Sequence, residues 1–248
     1  MITRKSKREI ELMHEAGKLV ASCHKEVKKM IKPGISTTEI DQFVEDYLAK
    51  HGATPEQKGF RGYQFATCAS INDEICHGFP RKEPLQEGDI VTIDMVANLN
   101  GALADSAWSY SVGNIEPEVQ RLLSVTEKAL WKGIEQAVIG NRTGDIGHAI
   151  QTYVEGEDYS VVRDFTGHGL GPTIHEEPSI FHYGSPHTGT RLKEGMVITI
   201  EPMVNIGDWH AIKDDNGWTA RTLDESLSAQ YEHTIAITKD GPLILTQL

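Results

Sequence analysis

The sequence predicts an α+β fold built from two similar halves, each opening with helices and continuing as hairpin-built sheet. Three observations carry this: an internal repeat, helical periodicity at the start of each half, and runs of β-branched residues separated by turn signals. In the repeat, GISTTEIDQFVEDYL (34–48) aligns with GNRTGDIGHAIQTYV (140–154) at an offset of 106 residues, 140 − 34. LQEGDIVTID (85–94) aligns with LKEGMVITIE (192–201) at 107 residues, 192 − 85. Two matches at nearly one offset divide the chain into halves near 1–118 and 119–248, a pseudo-twofold arrangement within one domain over 1–248. The period is too long for a solenoid.

Taken in order, residues 5–31 and 36–51 have helical periodicity, the second behind a Ser/Thr-rich start that caps it. Residues 65–69 and 89–112 read as strands, with Asn100-Gly101 as a two-residue hairpin signal. Residues 116–139 and 143–155 are helical, and 161–248 is mostly strands and turns.

The chain has 248 residues with 39% hydrophobic and 24% charged, long enough to bury a core without disulfides. No stretch approaches the ~18 continuous apolar residues of a membrane span, and the N-terminus lacks the apolar core of a secretion signal. Cys23, Cys68 and Cys76 form no C-x-x-C pair, which argues against a disulfide framework or thiolate zinc site and fits a reducing cytoplasm. A formal charge of −12 argues against a broad nucleic-acid-binding face. The basic cluster Arg4, Lys5, Lys7 and Arg8 reads as a solvated helix start.

The second repeat pair ends in carboxylates, Asp94 and Glu201, after the apolar runs IVTI and VITI. A carboxylate closing a buried strand in each half needs a counter-charge or a proton. A hairpin turning at Asn100-Gly101 pairs Asp94 with Ala107 and leaves Asp105 a diagonal neighbour on the same face. Glu232, in YEHTIAI, and His168, between Gly167 and Gly169, complete a set of four carboxylates and one imidazole. Four negative charges match two divalent cations, and oxygen-rich ligation with one imidazole suits Mn, Fe, Co or Zn. There is no H-E-x-x-H helix of a mononuclear zinc peptidase.

At these residues the chain resembles a known family. EICHGFP (74–80), IDMVANLNGALAD (93–105), FTGHGLGPTIHEEP (165–178), TIEPMVN (199–205) and SLSAQYEHT (226–234) are similar, in order and spacing, to the motifs of type I methionine aminopeptidases. The resemblance runs from about residue 5 to the C-terminus. It implies the pita-bread fold: two pseudo-symmetric halves around a curved, mainly antiparallel central sheet with helices on its outer face. It also implies Asp94, Asp105, His168, Glu201 and Glu232 as ligands of two divalent ions, bridged by Asp105 and Glu232. His77 and His175 would contact substrate, and Glu201 would move the proton of the attacking water.

Phe60, Tyr63, Cys68, Ile174 and Trp218 would line a methionine pocket, with Trp218 presented by the Asn216-Gly217 turn. Ile174 and Gln57 depart from residues that relatives often carry, which bears on pocket shape and not on the chemistry. Asn72 and Ser228 would hold a monovalent cation through loop carbonyls. The expected partners are peptide and nascent-chain N-termini, with transient ribosome contact, no direct nucleic-acid or membrane binding, and a monomeric cytoplasmic enzyme. Met1, followed by bulky Ile2, should be retained. The rival readings are a proline aminopeptidase or prolidase of the same fold, and a peptide-binding module without catalysis.

Overall fold

The computed structural model describes residues 2–248, so the expectation for Met1 lies outside the described residues. The first half contains α1 (Lys7–Met30), α2 (Thr37–Lys50), β1 (Ala53–Pro55), β2 (Cys68–Ile71), β3 (Glu74–Cys76), β4 (Ile90–Leu99) and β5 (Ala102–Ser111). The second begins with α3 (Pro117–Glu135) and α4 (Thr143–Gly156). Its strands are β6 (Ser160–Val161), β7 (Gly167–Gly169), β8 (Glu176–Ile180), β9 (Val197–Ile200), β10 (Met203–Asn205), β11 (Ala211–Lys213), β12 (Ala220–Thr222), β13 (Ser228–Gln230), β14 (His233–Thr238) and β15 (Gly241–Ile244).

Local chemistry sets the helix starts. Ser6 caps α1 and Ser36 caps α2, and in both a glutamate three residues on, Glu9 or Glu39, returns a bond to the cap N–H. α3 opens on Pro117, whose missing N–H costs nothing at that position. In α4 the Asp145 carboxylate accepts the Arg142 N–H at 2.7 Å.

The sequence repeat recurs in the backbone hydrogen bonds. Gly34 donates to the Leu85 carbonyl at 2.8 Å, and Gly140 donates to Leu192 at 3.3 Å. Leu85 answers to Ile35 and Leu192 to Asn141, both at 2.8 Å. In each half the loop before the helix is thus tied to the turn that launches the strand ending in an acid.

β4 is central to the first sheet, pairing with β5 along one edge and with β2 and β1 along the other. The second main sheet runs β15-β14-β9-β7-β8. Side chains of β5 stitch the two together: Ser106 Oγ donates to the Glu232 carbonyl at 2.7 Å and Ser109 Oγ to the Gln230 carbonyl at 2.8 Å. One apolar cluster packs α1 and α2 on the first sheet, and another packs α3 and α4 on the second. Every strand pair among the described residues is antiparallel, and the two helix-backed halves form the α+β arrangement that the internal repeat predicts.

Two local expectations need correction. The strand expected at 65–69 is Cys68–Ile71, because it is pinned by its register to Val91–Asp94 of β4. The basic cluster is not simply a solvated helix start. Lys5 is buried and ion-paired with Glu176 at 2.8 Å, and Arg4 Nε donates to the Glu194 carbonyl at 2.6 Å; Lys7 and Arg8 are exposed.

Candidate metal centre

The β4–β5 hairpin sets the first two acids. Its turn residues Asn100 and Gly101 have φ of 54° and 86°, the left-handed pair that a tight hairpin requires. The register runs without a bulge, placing Asp94 opposite Ala107 and Asp105 opposite Val96, so the two carboxylates are diagonal neighbours on one face. Glu201 follows the end of β9, and Glu232 precedes β14, which pairs with β9. The Glu232 N–H donates to Ala107 at 2.8 Å, bringing this acid beside the hairpin.

His168 lies in β7 between two glycines that it needs. A Cβ on Gly167 would stand 2.4 Å from the Thr199 carbonyl oxygen, and one on Gly169 would stand 2.4 Å from that of Glu177. The ring Nδ1 is 3.0 Å from the Gly169 carbonyl, which fixes the proton on Nδ1 and leaves the Nε2 lone pair free. Nε2 faces Glu201 Oε1 at 3.5 Å and Asp105 Oδ2 at 3.8 Å. Ligand atoms of Asp105, His168 and Glu232 all lie within 4.8 Å of one another.

Glu201 is held from several sides. Thr199 Oγ1 donates to its Oε1 at 2.8 Å and accepts the His168 N–H at 3.0 Å. Gln230 Nε2 lies 3.4 Å from Oε2, and the buried His182 accepts the Glu201 N–H through Nε2 at 3.1 Å.

The acids are short of partners. Asp94 Oδ1, Asp105 Oδ1 and Glu232 Oε1 are covered and receive no hydrogen bond. Burial raises Asp94 to about 7; burial and then the Asp94 charge raise Glu201 to about 8. Asp105 and Glu232 are pushed well above the carboxylate range, by burial first and then by the neighbouring acids. Such a cluster is stable only if protonated or faced by cations, so the residues present fit divalent metal.

The cluster lines a cavity of about 510 Å³. His77, His175, Phe60, Tyr63, Cys68, Ile174 and Trp218 line the same cavity, so every residue singled out for metal, catalysis or the methionine pocket converges there. Trp218 packs edge-on to Tyr63 at 5.0 Å, and Asn216 Oδ1 accepts the Trp218 N–H at 2.9 Å. His77 has φ of 55°, a left-handed strain typical of ligand-contacting residues. Burial, then the His175 and Lys213 charges, lower His77 to about 4; desolvation at the mouth and then Arg61 lower His175. Both rings are therefore neutral near pH 7, with one N–H to donate.

The sequence reading missed several lining residues. Phe165 and Met203 lie inside quoted motifs without a separate signal; Arg61, Asp164 and Lys213 at the mouth carry no periodic signal. A larger cleft of about 650 Å³ lies between α1 and α3, but it lacks Asp94, Asp105, His168 and Glu201 and is not the metal site.

Fold and site together define a metal-dependent enzyme whose centre is built from carboxylates and one imidazole. Residues 11–239 match metallopeptidase family M24, and the chain belongs to that family. It is 51% identical over 248 residues to methionine aminopeptidase 1 of Bacillus subtilis, covering 100% of both chains. The crystal structure of methionine aminopeptidase from Rickettsia prowazekii superposes with a TM-score of 0.98 at 43% identity, covering 99% of this chain and 100% of that one. The prolidase from Pyrococcus furiosus superposes with a TM-score of 0.80 at 25% identity, covering 99% of this chain and 65% of that one. The proline-specific reading is therefore not favoured.

Proposed function

We propose that this chain releases the N-terminal methionine from nascent proteins and peptides whose second residue is small. The observation that carries this reading is the convergence of unpartnered acids and His168 on the cavity that Phe60, Tyr63, Cys68, Ile174 and Trp218 line. A thioether packs favourably against aromatic edges and apolar walls, which suits a methionine side chain.

Asp94, Asp105, His168, Glu201 and Glu232 would hold two divalent ions. Divalent ions at such a site lower the pKa of water toward neutrality and polarise a carbonyl. Glu201, tied by Thr199 on one oxygen, takes the proton of the attacking water and passes it to the leaving amine. His175 donates its N–H to the oxyanion that develops on the scissile carbonyl. His77 hydrogen-bonds the scissile amide. Mn, Fe, Co and Zn all suit this donor set.

A monovalent cation near Asn72 and Ser228 belongs to the same reading. Ser228 donates its N–H to the Asn72 carbonyl at 2.9 Å, and the buried Ser228 Oγ and Asn205 Oδ1 have no partner. We also place the enzyme in the cytoplasm as a monomer, meeting nascent chains in transient contact with the ribosome. Among the described residues no helix is long and apolar enough to cross a membrane.

Purified protein reloaded with Mn should release methionine from Met-Ala-Ser, and should spare Leu-Ala-Ser and Met-Leu-Ser. Equal release of leucine would refute the methionine pocket. Two bound metals without release from any peptide would favour a binding module.

A further inference from the structure

The segment Thr3–Lys5 belongs to no helix or strand, yet it is tied to two places in the other half, the first residue of β8 and the turn before β9. At the first, Glu176 Oε2 accepts the Thr3 hydroxyl at 2.6 Å and the Lys5 ammonium at 2.8 Å. The Lys5 and Glu176 side chains are only 6% and 14% exposed, so this ion pair is largely shielded from solvent. The Glu176 carboxylate also accepts a hydrogen bond from the Thr173 backbone. Its Oε1 occupies the space above Gly171, where a Cβ would stand 2.4 Å away. Glu176 thereby closes residues 171–176 into one loop, and His175 is its neighbour in that loop.

At the second, the Lys5 N–H donates to the Gly195 carbonyl at 2.6 Å and Arg4 Nε donates to the Glu194 carbonyl at 2.6 Å. Gly195, at φ of 86°, admits the segment: a Cβ there would stand 2.8 Å from the Lys5 carbonyl oxygen. This turn launches β9, which leads directly into Glu201.

We propose that Thr3–Lys5 is a positioning strap that sets His175 against Glu201, with the buried Lys5–Glu176 pair as its anchor. Residues 171–175 have no ladder of their own, so His175 is placed by ring packing on His168 and Phe60, with centroids 4.3 and 5.3 Å away, and by its neighbour Glu176, the first residue of β8. The strap gives the loop a reference point on the turn that launches the strand leading into the acid. Lys5 and Glu176 do not line the site cavity; they act through His175, whose role rests on the peptidase reading above.

The test is a double-mutant cycle in the metal-loaded full chain on Met-Ala-Ser. Lys5→Met should lower kcat about 10- to 100-fold with KM little changed, as a small misplacement of a reacting group does. Lys5→Arg should restore most of the loss, and metal affinity by calorimetry should not move. In a His175→Ala background Lys5→Met should cost almost nothing further. Hydrogen exchange supplies an arm without substrate: Lys5→Met should speed exchange in 171–176 and at Gly195 and leave α3 and α4 unchanged.

If Lys5→Met does not fold, Thr3→Val, which leaves the ion pair intact, should give the same exchange pattern with smaller amplitude. An equal kcat loss in both backgrounds, or unchanged exchange in 171–176, overturns the proposal. Should the wild type release no methionine at all, the peptidase reading falls, and the exchange arm still decides whether the strap orders the loop.

Discussion

Glu201 illustrates how environment assigns a role to a carboxylate. One oxygen is occupied by Thr199 and the backbone N–H by His182, which together fix the direction of the carboxylate. A carboxylate held in one orientation beside the attacking water can take and return a proton. Glu201→Gln should lower kcat by about 100- to 10,000-fold. Metal analysis of the same sample should find at least one ion retained. Full activity with intact metal would remove Glu201 from the proton path. The neighbouring His182 was invisible in the sequence reading, because a histidine that only accepts one backbone N–H has no spacing signature.

The elements show what a sequence can and cannot say. LQEGDIVTID and LKEGMVITIE identified β4 and β9 because apolar β-branched runs before an acid are unusual and occurred twice. Asn100-Gly101 fixed the hairpin register because only that turn places both residues at positive φ. What joins the halves left no trace: Ser109 to Gln230 and Lys5 to Glu176 are long-range contacts between residue types common on any surface. The sequence therefore read Lys5 as solvated. Two substitutions test the element account. Ser36→Ala removes the α2 cap and should cost about 1 kcal/mol in a denaturant titration. Gly17→Ala should improve α1 by propensity, but its Cβ would stand 2.0 Å from the Leu245 carbonyl oxygen. Packing should win, with a net loss of about 1–3 kcal/mol. A stabilised variant would show that the C-terminal segment does not lie against α1.

For the whole molecule, two sets of buried groups give stability opposite pH dependences. Burial lowers His24 and His182 to about 3, so both enter the fold neutral. Their contribution is present above the unfolded value near 6.5 and is lost as pH falls toward 3. Asp94 and Glu201 are raised in the metal-free protein, so their contribution is present below the unfolded value near 4. It is lost as pH rises through about 7 and 8. Divalent ions replace those protons. Thermal scans should therefore show a shared acid limb, and an alkaline fall in Tm for chelator-stripped protein alone. Identical alkaline limbs would mean that the acids are not a metal cluster. The central claim is that metal at these acids releases methionine, and the direct measurement is a Mn titration of stripped protein while free methionine from Met-Ala-Ser is followed, with Ala-Pro as control. The account predicts no release before metal, release rising with bound Mn, and no cleavage of Ala-Pro. Release by the stripped protein, or cleavage of Ala-Pro in place of Met-Ala-Ser, would contradict it.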